Sequence, residues 1–140
     1  MLREINEIHK ELKSYNFLQE CILLEFQFLD FGTTILLRFN YIWDDNFNIR
    51  DDIDNNSKII EIKYYLVQEL HIHNYLSNAI INNPDLMNWG RNEISLISIF
   101  EDNKILEKYD NNYLFSSINY EDKRSIEIIF KTFEIHALWQ

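Results

Sequence analysis

Basic residues are scarce in this chain: 13 Lys and Arg stand against 23 Asp and Glu, a formal net charge of −10 over 140 residues. Binding to nucleic acid relies on clustered Lys and Arg that displace counterions from phosphates, and the sequence has neither the excess nor the cluster. The balance predicts basic partners instead. Cysteine is nearly absent too. Cys21 stands alone, which excludes an internal disulfide and points to a reducing compartment, by default the cytoplasm. With only two glycines, Gly32 and Gly90, the chain lacks the Gly-rich loops that cradle phosphates in dinucleotide and Walker sites, and no serine lies in a nucleophile elbow. Long hydrophobic runs are missing as well, since Glu25, Arg38, Glu61 and Lys63 interrupt the apolar stretches well short of the roughly 20 residues of a membrane helix. The charged opening, Met1 to Glu7, has no apolar run of the export type. A soluble chain without a membrane partner is expected.

Apolar material is ample, with 46% hydrophobic and 15% aromatic residues, so one globular domain over 1–140 is expected, able to bury a core without staples. Leu2, Ile5, Ile8 and Leu12 fall at helical spacing between charged residues and predict an amphipathic opening helix that covers a sheet face. From Cys21 to Phe31 the period becomes two, with Leu24, Phe26 and Phe28 on one side and Glu25 and Gln27 on the other. Gly32, Thr33 and Thr34 then turn the chain into a second alternating stretch, Ile35 to Trp43, making a hairpin.

Residues 44–57 lose the alternation and read as a long loop, of the kind that carries function. A strand from Lys58 to Val67 is expected to continue through Leu70 and Ile72 after a bulge at Gln68. Tyr75 to Ile81 suggests a short helix ended by Asn82, Asn83 and Pro84, and 84–92 an irregular segment. Ile94 to Phe100 reads as a strand stopped at Glu101, Asp102 and Asn103, and Arg124 to Ala137 as one long closing strand. Five to seven strands with one or two helices, segregated along the chain, define an α+β class: a mainly antiparallel sheet with an N-terminal amphipathic helix.

No catalytic kit stands out. His71 and His73 share one face of a strand at a spacing that suits a transition metal, but no third ligand lies nearby and His9 and His136 are distant, so two surface histidines and no metal site are expected. Asp44, Asn46 and Asn48 match the opening ligand positions of a calcium-binding EF-hand loop, yet Ile49 occupies the place of the turn glycine and Asn55 that of the bidentate Glu. Cys21 opens an apolar strand, the setting of a small buried thiol rather than a nucleophile. No catalytic residue and no cofactor are assigned; the alternative of a small hydrolase would need a pocket gathering His71 or His73 with carboxylates at perturbed pKa.

The acidic loop is the remaining constellation. Five Asp and one Arg between Asp44 and Asp54 give a local net of −4, with Phe47, Ile49 and Ile53 interleaved. Such a mixture can steer a basic partner and then bury a few apolar anchors, so Asp44, Asp45, Phe47, Asp51, Asp52 and Asp54 are the candidate partner-binding residues. The plainer account is that Asp and Asn form turns and keep an open loop solvated. Glu101 and Asp102, with Glu121 and Asp122, extend the negative field if they lie close, and Trp89 with Arg91 offers a second recognition patch or a plug under a loop.

Two segments carry a family resemblance. The hairpin Glu20-Cys21-Ile22-Leu23-Leu24-Glu25-Phe26 through Leu37-Arg38-Phe39-Asn40-Tyr41-Ile42 is the first, and Leu66-Val67-Gln68-Glu69-Leu70-His71-Ile72 through Asn88-Trp89-Gly90-Arg91-Asn92-Glu93-Ile94 the second. Together they resemble small bacterial immunity proteins encoded beside polymorphic toxins, including those of contact-dependent growth inhibition systems. The resemblance implies a non-enzymatic cytoplasmic protein that binds the toxic C-terminal domain of a cognate toxin, often a basic nuclease, and blocks its active site or substrate surface. It transfers no site residues to this chain. A structural or regulatory interaction module with another partner fits the same composition.

Overall fold

The computed structural model describes residues 1–41, 58–86, 93–102, 104–109, 112–120 and 123–138. The opening helix α1 spans Ile5–Ser14 and buries Ile8 and Leu12 completely. Those two side chains lie four residues apart on one helix face, and burying each contributes about 1.5–3 kcal/mol. Leu2, expected within the helix, instead pairs its backbone with Phe133 (N to O 2.7 Å, and O to N 2.9 Å).

Among the described residues eight strands follow: β1 Ile22–Leu29, β2 Thr34–Asn40, β3 Ile59–Tyr65, β4 Glu69–His73, β5 Ile94–Phe100, β6 Leu114–Tyr120, β7 Ser125–Phe130 and β8 Thr132–Ala137. They form two four-stranded sheets, in the order β1-β2-β3-β8 and β4-β7-β6-β5, antiparallel throughout. The α+β class with an antiparallel, mostly sheet architecture therefore holds, with one strand more than the expected upper number. A single core cluster joins the inner faces of both sheets, with Ile35, Leu37 and Phe39 of β2 and Ile60, Ile62 and Tyr64 of β3 from the first, and Ile97, Ile118, Ile128 and Phe130 from the second. Tyr64 links the layers, its ring standing edge-on to Phe130 at 4.9 Å. The helix α1 rests against β5 and β8, one edge strand from each sheet.

The extra strand arises because two long alternating segments each bend from one sheet into the other. Residues 59–73 and 125–137 pair with each other on both sides of the bend, Tyr65 with Thr132 before it and Glu69 with Ile129 after it. Between those pairs Leu66, Val67 and Gln68 face only Lys131 and Phe130. One surplus residue is a β-bulge, and a bulge increases twist and lets a strand pass between packed sheets. Leu66 carries the distortion with φ of 55°. The chain is pinned on both flanks: Lys131 N–H donates to the Tyr65 carbonyl at 3.1 Å and Gln68 N–H to that of Ile129 at 2.8 Å. The bulge expected at Gln68 thus marks a corner. The closing strand expected over Arg124–Ala137 is corrected to two strands, β7 and β8, which lie in different sheets.

Two smaller elements differ in extent. The helix expected over Tyr75–Ile81 forms at Asn78–Asn82 (α2), because Ser77 Oγ accepts the Ile80 N–H at 3.3 Å and starts the helix there. Phe31, expected at the end of β1, sits in the turn of the β1–β2 hairpin.

Candidate functional site

The segment that the sequence marks as partner-binding lies in the chain between β2 and β3, and just before and after it the Tyr41 N–H donates to the Lys58 carbonyl at 2.8 Å. Asp44, Asp45, Phe47, Asp51, Asp52 and Asp54 lie outside the described residues, as do Trp89, Arg91, Glu121 and Asp122. Glu101 and Asp102 lie just past β5 and are exposed. At the end of β2 Asn40 is fully buried between Ile22 of β1 and Ile59 of β3, and neither its Nδ2 nor its Oδ1 finds a hydrogen-bond partner.

His71 and His73 do share a face of β4, opposite Glu127 and Ser125 of β7. Their rings stack at 6.5 Å, and His73 stacks in turn on Tyr75 at 5.9 Å. Each imidazole meets its own carboxylate: His71 Nε2 lies 3.0 Å from Glu69, and His73 Nε2 3.4 Å from Glu127. They are held side by side rather than converging. Among the described residues no three His, Cys, Asp or Glu side chains form a metal-ligating group. His9 is used elsewhere, with Nε2 placed 2.8 Å from the Ile99 carbonyl so that α1 is fixed to β5. Cys21 is fully buried in the core.

Sequence reasoning did not find a polar knot centred on Glu69. Its carboxylate accepts from Lys108 Nζ at 2.7 Å and from the Tyr109 hydroxyl, besides meeting His71. These bonds, led by that of Lys108, hold the Glu69 carboxyl down to about 2, against an ordinary 4.5. The knot ties the turn at Lys104–Lys108 to strand β4. Forty residues separate Glu69 from Tyr109, and no local pattern announces such a contact.

The outer face of the first sheet carries a second charged row. Glu25, Arg38, Glu61 and His136 stand side by side across β1, β2, β3 and β8, and Arg38 bridges both neighbours at 2.9 Å. The two Glu partners raise the already high pKa of Arg38. Near the corner opens a cleft of about 640 Å³, lined by Arg3, Glu4, Leu66, Glu101, Tyr113 and Lys131 among others, with charges of both signs.

No protein-family model matches the chain, and no curated protein matches it in sequence. Among solved structures it is similar to the crystal structure of an uncharacterized protein from Neisseria gonorrhoeae, with a TM-score of 0.54 and 18% identity over 86% of this chain and 93% of that one. At that identity the likeness is one of fold alone.

The described surface also offers apolar anchors. Phe31 is fully exposed at the hairpin tip, with Asp30, Phe31 and Gly32 all at positive φ, 51°, 59° and 89°. Leu66 is brought to the same end of the molecule, because the adjacent Val67 N–H donates to the Thr33 carbonyl at 2.8 Å. An exposed aromatic on a rigid turn presents a large contact area without costing side-chain packing inside, which suits recognition of another protein. No described helix is long and apolar enough to cross a membrane.

Proposed function

We propose that this protein is an inhibitory binding protein of the immunity type, which captures a basic toxin domain, such as a nuclease, and covers its active site or substrate-facing surface. The observation that carries the reading is the net charge of −10 in a 140-residue chain. A nuclease surface that meets phosphate is positively charged, and an acidic protein is attracted to that surface over a Debye length of about 8–10 Å before contact. Steering of this kind raises the association rate, while a few buried anchors set the lifetime of the complex. The acidic residues Asp44, Asp45, Asp51, Asp52 and Asp54 supply the local field with Phe47 as an apolar anchor among them, and the exposed Phe31, in the turn at the opposite end of β2, is a separate anchor for a partner that spans the sheet.

The reading is tested by pull-down of the tagged protein from its native cell extract, followed by kinetics with the recovered partner over a range of salt. A basic toxin domain is expected, with association slowing as salt rises. Replacing the five aspartates by Asn should slow association most at low salt and leave the circular dichroism spectrum unchanged. Capture of no basic protein, or association rates indifferent to both salt and the Asn substitutions, overturns it.

A further inference from the structure

Each sheet has two edge strands, and three of the four are guarded. The edge of β8 is occupied by Leu2, which exchanges both backbone hydrogen bonds with Phe133. The edge of β5 is covered at its start by Glu20 and Cys21, which bond Ile94 at 2.8 and 2.9 Å, and further along by His9 on the Ile99 carbonyl. The edge of β1 is bridged at Ile22 to Glu93 and broken by an irregularity between Leu23 and Glu25. These are ordinary devices against edge-to-edge pairing. On β4 none of them is found: among the described residues nothing pairs with the side of Glu69–His73 that faces away from β7. Ile72, on the face that points toward the core, is left 57% exposed there.

We propose that β4 is a self-association edge, pairing antiparallel with β4 of a second copy about a two-fold axis at His71. The occupant follows from the strand's own sequence, which is complementary to its reverse. In this register Leu70 meets Ile72 of the second copy on the inner face, so the exposed Ile72 gains an apolar partner twice over. On the outer face Glu69 meets His73 of the second copy, and the two His71 rings face each other across the axis. Beyond the strand ends the same register carries Leu76, 38% exposed, toward Leu66 of the second copy, 57% exposed. The product is a continuous eight-stranded sheet, and its interface is isologous, as two-fold symmetry requires.

Sedimentation and light scattering of the purified chain over a wide concentration range test this, with Ile72→Glu as the probe. Ile72 is more than half exposed, so the variant is expected to fold, and circular dichroism checks it. The wild type should form dimers, and the variant should lose them, with a dissociation constant raised about 100-fold or more because a carboxylate is forced against Leu70. In hydrogen exchange, the alternate β4 amides that point away from β7 should gain protection as the wild-type concentration rises. A wild type that stays monomeric at the highest concentration, or a dimer indifferent to Ile72→Glu, overturns the proposal.

Discussion

The hydroxyl of Tyr64 on β3 lies 3.0 Å from Ser116 Oγ on β6, a polar contact between the two sheets beside the apolar core cluster. Both residues are fully buried, and burial pushes the Tyr64 phenol well above its ordinary pKa, so it stays neutral. Removing one partner leaves the other without a hydrogen bond and without water, which costs about 1–3 kcal/mol. Tyr64→Phe and Ser116→Ala should each lower the unfolding free energy, read from urea titration, by that amount. The double variant should lose less than the sum of the two, because it strands no polar group. Strictly additive losses would show that the contact contributes nothing to joining the sheets.

Acid should weaken the knot around Glu69. Its carboxyl is held from 4.5 down to about 2, chiefly by Lys108 and then by Tyr109 and His71. A depressed folded-state pKa stabilises the fold fully above the unfolded value, and the contribution fades as pH falls from 4.5 toward about 2. Urea midpoints of the wild type and Glu69→Gln should therefore differ at neutral pH and converge in acid. The effect is modest, since Lys108 is largely in water. Parallel pH profiles would remove Glu69 as its source.

Much of this architecture is legible in residue order. The spacing of Ile5, Ile8 and Leu12 gives the helix, and the alternation on either side of Gly32 gives the hairpin. The bends are harder to see, because period-two alternation says which face a side chain takes and nothing about which sheet it is in. One trace does survive at Lys131. Before it the core residues are Ile126, Ile128 and Phe130, and after it Phe133 and Ile135, an even-to-odd slip that a straight strand does not make. At the other bend the core residues run Ile60, Ile62 and Tyr64, then Val67, then Leu70, an even-to-odd slip that is at once reversed, so the parity on either side matches and Leu66 reads as core when it is exposed. The knot at Glu69 and the tip at Phe31 depend on tertiary position and leave no local pattern. The acidic loop is the reverse case, conspicuous in composition and outside the described residues.

Asn40 should be replaceable at a gain. Its amide is buried with both polar atoms unpartnered, between two isoleucines, an arrangement that costs about 1–3 kcal/mol relative to an apolar residue of the same shape. Asn40→Leu should raise the thermal midpoint without altering the near-ultraviolet spectrum. A lower midpoint would mean that the amide is bonded in solution and holds the end of β2.

The turn at Phe31 should trade stability against binding. A non-glycine residue in the left-handed region costs about 1–2 kcal/mol, and Asp30 and Phe31 both bear it, at φ of 51° and 59°. Phe31 is fully exposed and repays none of that cost by packing within the chain. The tight bend itself is held by Asp30, whose carbonyl accepts from Thr33 N–H and Oγ1 and whose carboxylate accepts from Thr34 Oγ1. Phe31→Gly should therefore stabilise the isolated protein by about 1 kcal/mol, less the entropy that glycine loses on folding. Phe31→Ala keeps the strain and should leave stability nearly unchanged. Both should weaken the complex with the captured partner to the same extent, about tenfold or more if the ring is an anchor. Because one variant relieves the backbone and the other does not, equal binding losses assign the effect to the aromatic ring. Loss in Phe31→Gly alone would assign it to the rigidity of the turn.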